Sequence, residues 1–337
     1  MSQASSNDTA PRHLPDRLGS PLRARLFSWE MLLLAVAVAI FITNSFASPY
    51  FLNEWSLSDL TFNFTEKALI ALAMALLIIS GEIDLSVASI IALCSTIMGL
   101  AVQYGVDTPG LVAIGVGVGL LCGAFNGLLV TRLGLPSIVV TIGTMSLFRG
   151  ISFIILGDGV FKGYPKSFGF FGQGYVWWVI SFELVLFVAA AVVFFVLLHH
   201  TNFGRRIFAI GNNQVAAQFS GVRVGQIKFV LFCLTGLMAG IASVLLTSRL
   251  GSTRPAIAQG WELEVITMVV LGGVNILGGA GGIVGVLLAA VIMGLMTFGL
   301  GLINVPGIVM SIFIGMLLII VIALPILYRM VRARRPA

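Results

Sequence analysis

Ten stretches of this chain are long, apolar and almost uncharged, and that pattern limits the fold more than any other feature. They cover about 27–46, 62–80, 83–103, 110–131, 136–156, 176–198, 228–249, 262–277, 283–303 and 306–328. A bilayer core takes about 20 mostly apolar residues per helix. In lipid the backbone must also satisfy its own hydrogen bonds, so each run reads as a transmembrane helix. Composition agrees. Charged residues are 9% of the 337, where a soluble domain has roughly 25%; hydrophobic residues are 58%. Thirteen acids and nineteen bases cannot cover a soluble exterior. A soluble enzyme, a nucleic-acid-binding domain and a disordered chain are excluded. The expected fold is an all-α polytopic membrane protein of about ten transmembrane helices. Residues 1–26 are a polar tail before an uncleaved first helix, 27–328 the membrane domain, and 329–337 a basic tail. Two runs are marginal. The second carries Glu66 and Lys67 in its first turns, and the eighth is short before GGAGG (278–282).

In a membrane protein the position of basic residues carries more information than the net charge of +6. With the N-terminus cytoplasmic, 13 of the 19 Lys and Arg fall on the inner side. They are Arg12, Arg17, Arg23, Arg25, Arg132, Arg205, Arg206, Arg223, Lys228 and the tail arginines Arg329, Arg332, Arg334 and Arg335. The bias predicts both termini inside. One helix more or fewer would send the tail RMVRARR to the other face, so ten fits better than nine or eleven.

The chain also aligns with itself. IDLSVASIIAL (83–93) lies over WELEVITMVVL (261–271), with Asp84 over Glu262 and Ser89 over Thr267. PSIVVTI (136–142) lies over PGIVMSI (306–312). Helices 3–5 then match helices 8–10 and run in opposite senses, an inverted repeat of helices 2–5 against 7–10. Such repeats are typical of transporters that alternate access around a central pathway.

No phosphate loop is present. The four lysines, Lys67, Lys162, Lys166 and Lys228, never follow a glycine, so a Gly-Lys turn that reaches a nucleotide phosphate is lacking. Cys94, Cys122 and Cys233 form no CxxC, and His13, His199 and His200 have no metal-ligand spacing. No catalytic residue, metal or cofactor of this chain's own is expected. Glycines number 39, and small-xxx-small spacings recur at Gly115, Gly119, Gly123 and Gly127 and at Gly236 and Gly240. This spacing lets membrane helices approach closely. Charges within apolar stretches are a sharper signal, because an ionised side chain is costly at membrane depth. Glu82, Asp84 and Ser86 lie in ISGEIDLSV, and Glu262 and Glu264 in the repeat-related GWELEVI; Arg149 and Glu183 lie within spans. Two compatible roles are open for the acids of the two breaks: capping helix starts and lining a translocation path at a helix break. The longest loop on the cytoplasmic side is 199–228. There Asn212 or Asn213 can cap a short helix, QVAAQFS, that Gly221 ends. A short exposed helix with basic flanks reads as a docking surface.

ISGEIDLSVASIIAL, FGRRIFAIGNNQVAAQFSGVRV and VVLGGVNILGGAGGIVG resemble the membrane permease subunits of bacterial ABC importers for sugars, in the ribose/xylose/autoinducer-2 branch. The likeness runs from about 60 to 325. The run EKALIALAMALLIISGEIDLSVASIIAL looks most like rhamnose-type permeases. The resemblance implies a multi-pass bacterial inner-membrane permease for a monosaccharide, a pentose or a deoxyhexose such as rhamnose. It also implies partners: an ATP-binding cassette ATPase subunit that holds ATP-Mg, a periplasmic sugar-binding protein, and a second permease copy or paralogue. A helix at about 213–221 in loop 199–228 would fit a cleft on the ATPase and convert its closure into movement of the membrane helices. Its coupling residues would be Asn213, Ala216, Ala217, Ser220 and Gly221, where Ala216, Ala217 and Gly221 match the A-A-x-x-x-G core of the permease loop motif. No Ile-x-Leu-Pro follows, a departure from the wider pattern. Autoinducer-2 or a nucleoside is an alternative solute. An ion-coupled secondary transporter is a second class, and a polytopic membrane enzyme a third that lacks any clustered catalytic set.

Overall fold

The computed structural model describes residues 29–317 and 319. The two tails and the last part of the tenth run lie outside the described residues. Thirteen helices follow one another: α1 Trp29–Ala47, α2 Glu54–Ile79, α3 Val87–Gln103, α4 Thr108–Arg132, α5 Ser137–Leu156, α6 Phe170–Gln173, α7 Phe182–His199, α8 Asn202–Asn212, α9 Gln214–Phe219, α10 Val224–Leu250, α11 Trp261–Leu271, α12 Ile283–Leu302 and α13 Gly307–Leu317. The four strands are minor: β1 Phe161–Lys162, β2 Tyr175–Trp177, β3 Ile180–Ser181 and β4 Ser252–Thr253. β1 pairs with β4 and β2 with β3, both antiparallel. The chain is therefore an all-α polytopic membrane protein. Among the described residues seven helices are long and apolar enough to cross a bilayer: α1, α2, α4, α5, α7, α10 and α12. The other three expected spans form the shorter helices α3, α11 and α13.

Several boundaries differ from the sequence expectation, each for a local reason. α2 starts at Glu54, ahead of its apolar run, because Asn53 caps it by accepting from the Trp55 N–H at 3.0 Å. The sixth span starts only at Phe182. Ser181 caps it through the Leu184 N–H at 3.2 Å, and the apolar YVWWVIS ahead of it forms the β2–β3 hairpin. α3 begins at Val87, so the 83–86 stretch is a break and not its first turn. The eighth span is only 11 residues long. It ends where Gly272–Gly273 begins a glycine-rich segment, with Gly273 at φ +85°.

α2 is the centre of the bundle. Residues 68–79 are buried without interruption, as expected of a helix surrounded by protein on every side. α7, α10, α11 and α12 pack against it. The packing partners are exchanged in pairs: α4 lies along α10 and α12 along α2; α3 touches α10 and α11 touches α2; α3 meets α4 and α11 meets α12. A repeat relating α2–α5 to α10–α13 gives each of these pairings its mate.

Candidate functional site

At one end of the bundle the chain from α7 to α10 forms a built corner. Thr201 caps α8, accepting from Phe203 and Gly204 N–H groups at 3.2 and 3.3 Å. Asn213 then caps α9, its Oδ1 accepting from the Ala216 N–H at 3.0 Å. Ser220 ends the helix, its hydroxyl donating to Ala216 O at 2.9 Å. Gly221 follows at φ +82°, a left-handed conformation that suits glycine. The turn it makes lets the Val222 N–H donate to Ala217 O at 3.1 Å, closing the C-terminus. Ala217 is buried, whereas Val215 and Phe219 project into the open at 62% and 89% exposure. Sequence reasoning placed α9 and its caps but missed α8. Its 202–212 pattern, with Gly204, Ile207 and Ile210 buried and Arg205 and Arg206 exposed, is helical in period.

This corner is tied to the membrane helices at two points. The Lys228 ammonium, in the second turn of α10, donates to Glu82 Oε1 in the α2–α3 break and to Gln214 Oε1, the first residue of α9, the latter at 2.8 Å. One lysine thus links the short helix, the long helix and the break. Asn212 Nδ2 donates to Gly279 O at 3.1 Å, and the Gly279 N–H donates to Ile79 O at 2.9 Å. The GGAGG segment is therefore held against the end of α2. Glu82 and Lys228 are 146 positions apart. The only signal in sequence was a lone lysine opening an apolar span.

No acid occupies the N-cap position at either break. The N-cap of α3 is Ser86 and that of α11 is Gly260, neither with a capping side-chain bond. Asp84 is fully buried before α3. It accepts from the Ser86 N–H and hydroxyl at 2.8 and 2.6 Å and from Asn126 Nδ2 at 3.5 Å; Asn126 also donates to Ser86 Oγ at 2.8 Å. Asn126 comes from α4, so this network ties the break to a third helix. Glu262 and Glu264 lie in the first turn of α11. Glu264 pairs with Lys67 of α2 at 2.5 Å, and that ammonium also lies over the Trp261 ring at 4.9 Å. Glu262 is within electrostatic range of Arg149. Arg149 Nη1 reaches from α5 to donate to Pro255 O and Ile257 O, at 2.7 and 2.8 Å.

The predicted small-residue face lies between α4 and α10. A Cβ on Gly119 would stand 2.5 Å from Gly236 O and 2.6 Å from Gly240 Cα, and one on Gly240 2.7 Å from Gly115 O. Gly123 faces Phe232 O and Gly236, and Gly127 faces Phe229 and Phe232. The two backbones meet directly here, which no larger residue permits.

The far end of the bundle carries charges that sequence reasoning did not connect. Arg249 makes a two-pronged ion pair with Glu66, at 2.9 and 2.8 Å. Glu183 lies in electrostatic range of both, fully buried, with neither carboxylate oxygen hydrogen-bonded. A separate hydroxyl cluster joins α3, α10 and the segments after α5 and α10. Thr247 donates to Ser95 Oγ at 2.7 Å, Ser95 and Thr253 hydroxyls are 2.7 Å apart, and the Tyr164 and Thr253 hydroxyls 2.6 Å. Burial pushes the Tyr164 phenol up to about 12, against the opposing hydrogen bond with Thr253, so it keeps its proton at ordinary pH. Among the described residues no three metal-ligating side chains come together.

The described residues thus form a multi-pass bundle with an exposed short helix pinned to a helix break. Residues 56–322 match the family described as branched-chain amino acid transport system / permease component. The chain belongs to that family. The permease is 36% identical over 285 residues to the ribose import permease protein RbsC of Bacillus subtilis (strain 168), over 84% of this chain and 88% of that protein. It is 34% identical over 310 residues to the autoinducer 2 import system permease protein LsrD of Salmonella paratyphi B, over 88% and 91% of the two chains. The corresponding LsrD of Photorhabdus temperata is 32% identical over 303 residues. No solved structure matches. The permease is thus of the ABC-importer kind that resembles the ribose and autoinducer-2 branch.

Proposed function

We propose that this permease imports a monosaccharide, a pentose or a deoxyhexose such as rhamnose, handed over by a periplasmic binding protein and driven by a separate ATPase subunit. Both termini are cytoplasmic in this reading, with α8 and α9 on the inner face. Two ATPase subunits and a second permease, identical or paralogous, complete the transporter. The observation that carries the reading is the double attachment of α9: capped by Asn213, closed by Gly221, and joined through Gln214 and Lys228 to Glu82 in the α2–α3 break. An ATPase that shifts α9 would move that break with it, because packed helices transmit rigid displacements. The exposed Val215 and Phe219 give the partner apolar surface to grip. Import of autoinducer 2 is the second reading, favoured by the relatives named for that solute.

The test is reconstitution with a cassette ATPase and a periplasmic binding protein. Gly221→Trp is expected to insert normally and to abolish uptake, since a bulky residue must leave the left-handed conformation and disturb the end of α9. Normal uptake by a well-expressed variant would remove α9 from the coupling path. Competition among ribose, rhamnose and autoinducer 2 for the binding protein would name the solute.

A further inference from the structure

A cavity of about 1110 Å³ opens at the α9 end, between the end of α4, the 133–136 turn and the first turns of α10. Its lining has three characters. One part is apolar: Leu128, Leu135, Phe229 and Val230. A second is polar and uncharged: Thr131, Gln214, Gln218 and Gln226. The third is basic: Arg132 and Arg223. Lys228 also faces the cavity, but its charge is matched by Glu82. Arg132 and Arg223 have no hydrogen-bond or ion-pair partner among the described residues, so two positive charges remain uncompensated. The N-termini of α5 and α10 open onto the same space, at Pro136 and Arg223, and neither has a capping side chain. The positive ends of the two helix dipoles there add to the attraction for an anion.

We infer that this cavity is a binding site for an anionic phospholipid, whose phosphate meets Arg132 and Arg223 and whose acyl chain covers Leu135, Phe229 and Val230. A free phosphate would use the basic part and leave the apolar wall wet; a zwitterionic lipid would leave the two guanidinium charges uncompensated. Basic pockets between membrane helices on the anionic leaflet recognise such headgroups, at about 1 kcal/mol per basic residue, or about fivefold in affinity. The inference rests on the proposed orientation, with the α9 end at the anionic inner leaflet, and is independent of which solute the chain carries.

The purified full-length permease, stripped of lipid in neutral detergent, is titrated with phosphatidylglycerol, phosphatidylcholine or glycerol 3-phosphate. Bound lipid is read by native mass spectrometry and by the thermal unfolding shift. Phosphatidylglycerol is expected to bind and stabilise, and the other two to do neither. The double variant Arg132→Gln/Arg223→Gln is expected to bind phosphatidylglycerol about 30-fold more weakly, while Arg132→Lys/Arg223→Lys retains most of the binding. Equal binding of phosphatidylcholine, unchanged affinity in the glutamine variant, or an equal shift from glycerol 3-phosphate would each overturn the site. The three arms on the unaltered protein decide the matter even if a variant fails to fold.

Discussion

The two breaks that interrupt the repeat-related helices occupy equivalent places and are held together by opposite charges. At the first, residues 80–86, an acid is the anchor: buried Asp84 accepts from Ser86 and from Asn126 of α4. At the second, residues 251–260, a base is the anchor: Arg149 of α5 donates to the carbonyls of Pro255 and Ile257. Those bonds hold the chain just ahead of Ala258, which sits at φ +58°, a conformation that alanine rarely takes. The second break is further fixed by the β1–β4 pair and by the Ser95–Thr253 hydroxyl contact. The first has no such strand, but it carries Glu82, whose partner Lys228 also holds α9. One break is thus a clamp and the other a joint. The repeat supplies the same geometry twice, and the sign and partners of the charges give each copy its task.

The comparison can be broken in a graded way. Asp84→Ala has the largest expected effect on stability. It leaves the Ser86 N–H and hydroxyl as buried donors without their acceptor, a loss of about 3 kcal/mol in SDS-driven unfolding of the micellar protein. A loss below about 1 kcal/mol would mean that the first break does not depend on its acid. Arg149→Met is expected to cost about 2 kcal/mol by the same measurement, from two charge-assisted bonds to carbonyls. It should also expose residues 254–259 to faster amide exchange while leaving 80–86 unchanged. Matched exchange at both breaks would show them to be one unit. Asn213→Ala is the smallest change, about 1 kcal/mol from the lost cap. Its protection loss should be confined to α9, where amide exchange of 214–219 checks it.

Much of this fold was legible because lipid simplifies the code. Among the described residues each of the ten apolar runs holds a helix, seven of them long enough to span a bilayer, and the self-alignment of 83–93 with 261–271 pointed to the neighbourhood of both breaks. Asn213 and Gly221 announced α9 through local chemistry that needs only neighbouring residues. The ion pairs were not legible in the same way. Glu66 and Arg249 are 183 positions apart, and Lys67 and Glu264 197; nothing in an apolar sequence states which distant helix a charge will face. Helix α8 was missed because a polar, two-arginine segment resembles a linker until its buried Ile207 and Ile210 are seen to share a face. Capping and lining a path were both open for the acids of the breaks. Glu82 and Glu264 pair with lysines of other helices, Asp84 accepts from Ser86 and Asn126, and Glu262 has no hydrogen-bond partner at Oε2; a buried charge is stabilised more by specific partners than by a helix end alone.

The central claim is that Lys228 joins α9 to the first break and so couples ATP use to transport. In proteoliposomes holding the permease with its ATPase and binding protein, uptake per ATP hydrolysed is measured for the wild type, Lys228→Met and the exchanged pair Glu82→Lys/Lys228→Glu. Hydrolysis is expected to continue in Lys228→Met while uptake per ATP falls about tenfold, and the exchanged pair is expected to recover part of it. Unchanged uptake per ATP in Lys228→Met would contradict the account.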